Sequence, residues 1–349
     1  MKQIQVGIIG YGKGAGIFHI PFIQTLPEFR IKKIVHRSAD KSSIDYPVEE
    51  VEKDPESIFQ DKDIDLVIIT TPNDTHYEYA KKALESGKHV VVEKPFTTQS
   101  NHAQELIDLA KTKNRIISVY QNRRWDSDFL TVKKIIEDGY LGRLVEYESH
   151  FDRFRNYIRP NSWKEQKVEG SGILYDLSPH LIDQALILFG PPRAVTADII
   201  IQREGGQADD HFELIFLYDR LRVILKAGML VRKPNHRFIL HGTEGSFVKD
   251  GFDPQEKALN EGFMPDDPNW GAENEVHWGT IDTTMRGLHL VGKIESIPGS
   301  YQSYYKNLAD AILHGAELSV KPEEAMNVIK MIEVAMLSND LKRTLEVNL

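Results

Sequence analysis

Two places in this sequence bring together residue types that can move a proton or steady a developing charge. The first is Val90-Val91-Val92-Glu93-Lys94-Pro95. Three valines in a row read as a strand buried on both faces of a parallel sheet, and ligands of such sheets gather beyond the carboxyl ends of strands. Lys94 stands at that end. A cation there needs a partner or a task, because a desolvated charge is costly; a solvated pair with Glu93 is the plain alternative. The second place is Asp176, four residues before His180. In a helix begun by Asp176 both side chains share a face, so the carboxylate can fix or charge-stabilise an imidazole that takes a proton. Ser178-Pro179 also reads as an N-cap and first helical residue. That start would leave His180 an ordinary buried histidine, and the residues alone leave both readings open.

A third feature binds rather than reacts. Residues 4–9 form an apolar run that enters Gly10-Tyr11-Gly12-Lys13-Gly14-Ala15-Gly16 and then a helical pattern. Gly10, Gly12 and Ala15 fit G-x-G-x-x-A: a tight turn, a close approach for a pyrophosphate, and a small residue where helix meets strand. The helix start adds N–H groups and a favourable dipole. A second strand, 31–35, ends in His36-Arg37-Ser38, where an NAD-binding chain would carry an acidic residue for the ribose. Arg37 can pair with a 2′-phosphate and Ser38 can donate to it, so NADP is expected over NAD, with NAD still possible; stacking of Arg37 on adenine is the alternative. Pro72 stops a third strand, 65–70, where the cofactor should lie. Asn73 and His76 can then meet the nicotinamide ribose or the substrate, although Asn73 or Asp74 could equally cap a helix.

The elements that must position these groups emerge from the same patterns. At 349 residues the chain is long enough for two domains. Strands at 4–9, 31–35, 65–70, 88–92 and 115–119 alternate with helical spacing, which implies right-handed crossovers and a doubly wound parallel sheet over 1–122. Residues 123–349 read as α+β: a helix at 126–138, then strands at 144–154, 194–202, 211–218, 221–229 and 237–241 in a large, mainly antiparallel open sheet. Helices at 301–314 and 322–341 close the chain. Residues 250–297 show no clear period, which suggests a functional loop or an interface arm. Arg153, Arg155 and Arg159, with Trp163, can line a polar substrate pocket; surface salt bridges are the alternative for at least some of the arginines.

A net charge of -9 argues against nucleic acid as a partner. No apolar run has membrane-spanning length and no signal-peptide core opens the chain, so a cytoplasmic protein without membrane attachment is expected. The absence of cysteine excludes disulfides, thiolate metal sites and a cysteine nucleophile. No metal is expected.

In order and approximate spacing, Gly10-Tyr11-Gly12, Thr71-Pro72-Asn73 with His76, Glu93-Lys94-Pro95, and Asp176 four before His180 resemble the Gfo/Idh/MocA oxidoreductases. Gly16-Ile17-Phe18-His19, the 153–163 stretch and Asp253-Pro254-Gln255-Glu256 are most similar to its NADP-dependent scyllo-inositol dehydrogenase-like branch. The resemblance implies a Rossmann domain, a carboxy-terminal substrate-binding and oligomerisation domain, a homodimer or homotetramer through its sheet, and hydride transfer on a polyol, inositol or sugar. It implies Lys94, Asp176 and His180 as the catalytic set. The expected cofactor contacts are Gly10, Tyr11, Gly12, Ala15, Arg37, Ser38, Thr71, Pro72, Asn73, His76, Glu93, Lys94 and Gln121. Gly170-Ser171-Gly172 and Ser178-Pro179 depart from the commonest family pattern. Three other readings remain: an NAD-preferring sugar dehydrogenase, a catalytically silent dinucleotide sensor, and a metal-assisted hydrolase or lyase using Asp176, His180 and His76.

Overall fold

Apolar runs without alternation pair side by side in the first part of the chain, each inner strand being buried on both faces. In the computed structural model, which describes residues 3–37, 41 and 44–349, these are β1 (Ile4–Ile9), β2 (Phe29–Val35), β3 (Glu50–Glu52), β4 (Leu66–Ile69), β5 (His89–Val92) and β6 (Ile117–Val119). Among the described residues they form a six-stranded parallel sheet in the order β3-β2-β1-β4-β5-β6. The chain therefore leaves β1 to one side for β2 and β3, then returns to its other side for β4. The reversal opens a crevice beyond the carboxyl ends of β1 and β4, which is where a doubly wound sheet binds its ligand. Helices α1 (Ile20–Gln24), α2 (Glu56–Phe59), α3 (His76–Glu85) and α4 (Ser100–Lys113) make the crossovers.

The later helices are α5 (Ser127–Glu137), α6 (Gly172–Phe189), α7 (Gln255–Asn260), α8 (Gln302–His314) and α9 (Pro322–Leu341). The chain divides into two compact units. The first comprises Met1–Trp125, Pro254–Trp270 and Ser300–Met326; the second comprises Asp126–Asp253, Gly271–Gly299 and Asn327–Leu349. Two stretches from late in the sequence thus belong with the parallel sheet. Tyr301, Tyr304, Tyr305 and Leu308 are buried in one core with Ile8, Phe22, Phe29 and Tyr120.

The second unit holds β7 (Leu144–His150), β8 (Ala194–Ile200), β9 (His211–Leu217), β10 (Arg222–Gly228), β11 (Phe238–Gly242), β12 (Gly245–Lys249), β13 (Gly279–Met285), β14 (Leu288–Ile294) and β15 (Leu345–Glu346). Among the described residues they form a nine-stranded sheet ordered β14-β13-β12-β11-β7-β10-β9-β8-β15, parallel at β7 and β10 and otherwise antiparallel. Register explains its one dry face: Val223 pairs with Phe216, Leu225 with Leu214 and Ala227 with Phe212, all buried, while the residues between them are wetter. Helix α6 packs on β9 and β10.

The 250–297 stretch is not the irregular loop its composition suggests. It contains α7 and the β13–β14 hairpin, closed by Arg286 and Gly287 at φ 52° and 82°. Two positive φ values in a two-residue turn fit a twisted hairpin, but the usual Asn-Gly or Asp-Gly signal is missing because arginine fills the first place. Strands β3, β12 and β15 also lie outside the sequence reading. Among the described residues no helix is long and apolar enough to cross a membrane, and no three His, Asp or Glu side chains converge as metal ligands.

Candidate active site

In the first unit the crevice is lined by the loops that leave β1, β4 and β5. Gly10 turns the chain at φ +97°, and a Cβ there would lie 3.1 Å from both Thr70 Oγ1 and Thr71 Cγ2. Backbone and packing both demand glycine. Its N–H donates to Val35 O (3.1 Å) and its carbonyl accepts from Thr70 Oγ1 (2.8 Å), which pins the loop to the ends of β2 and β4. A Cβ at Gly12 would meet nothing within 4 Å. The chain then winds through a π-helical turn, Gly14–His19, into α1; no side chain caps its start, and Ala15 is fully buried beneath it. An open glycine surface beside an uncapped helix start fits a dinucleotide pyrophosphate. Gln121, at the end of β6, is buried with no hydrogen-bond partner for Oε1 among the described residues. It is an acceptor that a carboxamide or a ribose hydroxyl would satisfy.

Around this cradle Tyr11 is half-buried. Its hydroxyl lies 3.2 Å from Asp45 Oδ2 and accepts from Asp45 N at 3.0 Å, and its ring meets His36 edge-on. Arg37 is exposed just past β2; Ser38 lies outside the described residues. Beyond β4, Pro72 leads into a 3-10 turn, Asn73–Thr75. Thr75 donates its hydroxyl proton to Pro72 O (2.7 Å), so Thr71 is the donor in their 2.6 Å hydroxyl pair. His76 is fully buried, with Nδ1 2.8 Å from Pro95 O and Nε2 3.0 Å from Thr71 O. Burial lowers its pKa against the pull of the two carbonyls. Its visible contribution is to tie the loop after β4 to the loop after β5.

That second loop carries Glu93, Lys94 and Pro95, with the Lys94-Pro95 bond cis. Glu93 is half-buried. Its Oε1 meets His19 Nε2 at 2.8 Å and its Oε2 accepts the Lys94 N–H at 3.0 Å. Burial would raise its pKa, but the His19 hydrogen bond and the charges of His19, Lys94 and His76 hold it below the ordinary carboxylate value. Sequence reasoning gives His19 no role of its own.

In the second unit, α6 starts at Gly172 and Pro179 lies inside it. Of the two sequence readings, the early helix is the one found. Asp176 and His180 therefore share a face, one turn apart. His180 is 5% exposed. Asp176 Oδ1 accepts from Lys164 Nζ at 2.7 Å, and Arg153 Nη1 stands 4.0 Å from Oδ2. Lys164 is missed in the sequence, since nothing in its local pattern singles it out. Arg155 Nη1 is buried without a hydrogen-bond partner among the described residues. Arg159 is instead structural, paired with Glu165 at 3.2 Å, which also takes Arg203 Nη2 at 2.6 Å.

The early helix start has a distant cause. Asp209, on the loop before β9, accepts from Leu174 N at 2.7 Å through its carboxylate, and its main-chain carbonyl takes the Ile173 N–H at 3.0 Å. A long-range carboxylate thus does what a local N-cap would do.

The chain as a whole resembles known proteins. Residues 4–121 match the Gfo/Idh/MocA oxidoreductase family's NAD-binding Rossmann fold, and residues 133–348 match its C-terminal alpha/beta domain. The chain is 43% identical over 348 residues to scyllo-inositol 2-dehydrogenase (NADP(+)) IolW of Bacillus subtilis, covering 99% of this chain and 96% of that one. It is 43% identical to the oxidoreductase YdgJ of Escherichia coli, covering 98% of each. The solved structure of the oxidoreductase YvaA from Bacillus subtilis superposes with a TM-score of 0.96 at 41% identity, over 99% of each chain. Two family models that together span nearly the whole chain, with relatives 43% identical along its length, establish that the chain belongs to the Gfo/Idh/MocA family of oxidoreductases.

Proposed function

We propose that this oxidoreductase moves a hydride between a secondary alcohol of a polyol, inositol or sugar and NADP. The observation that carries the cofactor choice is Arg37, exposed just past β2 with no carboxylate at positions 36 or 37. A guanidinium can pair with a 2′-phosphate that a carboxylate would repel. The substrate class is supported by the activity of the Bacillus subtilis relative, a scyllo-inositol 2-dehydrogenase.

When bound, NADP supplies the hydride acceptor. The rest falls to the chain. His180 takes the hydroxyl proton of the substrate. Asp176, its charge already met by Lys164, orients that imidazole or a neighbouring hydroxyl. Lys94 steadies the negative charge growing on the alcohol oxygen, an electrostatic effect often worth a few kcal/mol. Gly10 and Gly12 hold the pyrophosphate, with Gln121 an acceptor for the nicotinamide side. Exposed Leu288, Leu290 and Val291 on β14 support a homodimer or homotetramer formed through this sheet.

The test is a fluorescence titration with NADPH and with NADH, on the wild-type chain and on Arg37→Asp, followed by turnover with scyllo-inositol and a panel of sugars. Tighter binding of NADPH that Arg37→Asp loses is the expected result. Equal affinity for both cofactors would sink the NADP preference. Lys94→Met and His180→Ala that each keep full turnover would sink the catalytic roles.

A further inference from the structure

His19 is wholly buried, yet each of its ring nitrogens has a polar partner. Nδ1 meets the Tyr305 hydroxyl at hydrogen-bond range, and Nε2 lies 2.8 Å from Glu93 Oε1. The ring is also packed against Tyr120, centroids 4.3 Å apart. These partners reach the turn after the glycine loop from far apart in the chain: the end of β5, the end of β6 and α8. A leucine would fill the same space without hydrogen bonds, so packing alone does not explain an imidazole here.

The direction of the hydrogen bonds at Glu93 is set by the groups themselves. Glu93, as a carboxylate, can only accept, so Nε2 carries a proton and donates. Nδ1 shares the other hydrogen bond with the Tyr305 hydroxyl. The second Glu93 oxygen accepts the Lys94 N–H at 3.0 Å. The chain reads Tyr305 to His19 to Glu93, with the Lys94 main chain closing it from the other side.

We propose that His19 is a positioning residue: oriented by Tyr305, it keeps Glu93 charged and in one rotamer, so that Lys94 is held in a set place beside a fixed negative charge. The inference rests on the reading of Lys94 as a catalytic residue. Its mechanism is electrostatic. Without the imidazole, Glu93 keeps one hydrogen bond and most of its burial, and a carboxylate that loses a donor there has its pKa raised. The titratable groups that face Glu93 are His19 from the helical turn, Lys94 on its own loop, His76 from α3, Tyr120 at the end of β6, and Tyr304 and Tyr305 from α8. All three phenols are pushed up by burial and stay neutral. Of the two histidines, His76 is buried and its pKa is lowered, which leaves His19 as the donor that decides the state of Glu93.

The experiment uses the full chain with glutamate labelled at the carboxyl carbon, the Glu93 signal being assigned by its loss in Glu93→Gln. In the wild type this signal stays constant from about pH 8 to about pH 5; in His19→Leu it titrates inside that window. His19→Gln restores the flat profile, because its amide N–H donates to Glu93 while its carbonyl accepts from Tyr305. NADPH affinity, read by fluorescence, stays within about twofold in each variant, while kcat falls in His19→Leu by up to about a hundredfold and recovers in His19→Gln. Tyr305→Phe removes one hydroxyl and keeps the ring packing. It carries the same test, with a smaller fall in kcat, where His19→Leu does not fold. A Glu93 signal as flat in the altered chain as in the wild type overturns the proposal. So does unchanged kcat in a chain where Lys94→Met abolishes turnover. Turnover surviving Lys94→Met would instead overturn the catalytic reading, and the Glu93 titration would still decide the hold of His19 on that carboxylate.

Discussion

Replacing Asp209 by asparagine should make the second unit more stable at neutral pH, and by more than at acid pH. Burial raises the Asp209 pKa from the ordinary 3.8 to about 6, with the charge of Asp210 adding to it and the N–H groups of Ile173 and Leu174 pulling the other way. A carboxyl whose folded-state pKa is raised favours folding below its unfolded pKa, and this advantage is lost as pH climbs through the folded value. A rise of about two pH units corresponds to roughly 3 kcal/mol. Of that, about 1.3 kcal/mol falls between pH 5 and pH 7 by the linkage relation. Asp209→Asn is an isosteric change: the amide keeps an oxygen for the Leu174 N–H, 2.7 Å away, and does not titrate. With a melting temperature that moves by about 2–4 °C per kcal/mol in units of this size, the variant should gain some 3–5 °C on the wild type between pH 5 and pH 7. Thermal melts of both proteins at each pH measure that difference directly. A gap that stays constant, or narrows as pH rises, would refute the claim that a buried and mostly ionised carboxylate caps α6.

Gly10→Ala and Gly12→Ala separate geometry from ligand. The first must place a Cβ at φ +97° and 3.1 Å from Thr70 Oγ1, so it should lower stability by about 1–2 kcal/mol and weaken NADPH binding. The second meets nothing within 4 Å, so the melting temperature should hold while NADPH titration shows at least roughly tenfold weaker binding; unchanged affinity would move the pyrophosphate elsewhere. Lys249→Met should destabilise by about 3–5 kcal/mol in denaturant titration, because Glu273, 2% exposed and 2.8 Å from Lys249 Nζ, would keep its charge with no cation beside it. Adding Glu273→Gln should recover much of that loss, and a double variant no better than the single would contradict the account.

Much of the first unit could be read from the sequence because its signals are local. A both-faces-buried strand needs an unbroken apolar run, and a pyrophosphate turn needs glycine where φ is positive, so Ile4–Ile9 followed by Gly10 declares itself. The second sheet was legible where strands alternate, as in β9 and β10. It was not legible in β14, whose residues are exposed almost throughout and so carry no alternation for burial to imprint. The return of α8 to the first core was likewise hidden, since an amphipathic helix shows that it packs but not on what.

The site residues divide along the same line. Type and spacing single out Lys94, Asp176 and His180 as candidates and the family resemblance implies their roles, whereas their distant partners carry no such signal. Asp209 lies 35 residues from the amide it caps, and Tyr305 lies 286 residues from the imidazole it orients. Lys164 is 12 residues from Asp176, across a turn with no helical period to link them. Desolvation nevertheless makes the existence of such partners predictable: a charge removed from water requires a counter-charge or several donors, or it neutralises. Glu93 illustrates the point, since its burial raises its pKa while the hydrogen bond to His19 and the charges of His19, Lys94 and His76 hold it below the ordinary carboxylate value. A buried ionisable residue in a sequence is therefore a demand for a partner from elsewhere in the chain. In this protein the demand made by Glu93 is met by a histidine that the glycine loop delivers, which makes the cofactor cradle and the Lys94 loop parts of one hydrogen-bonded assembly.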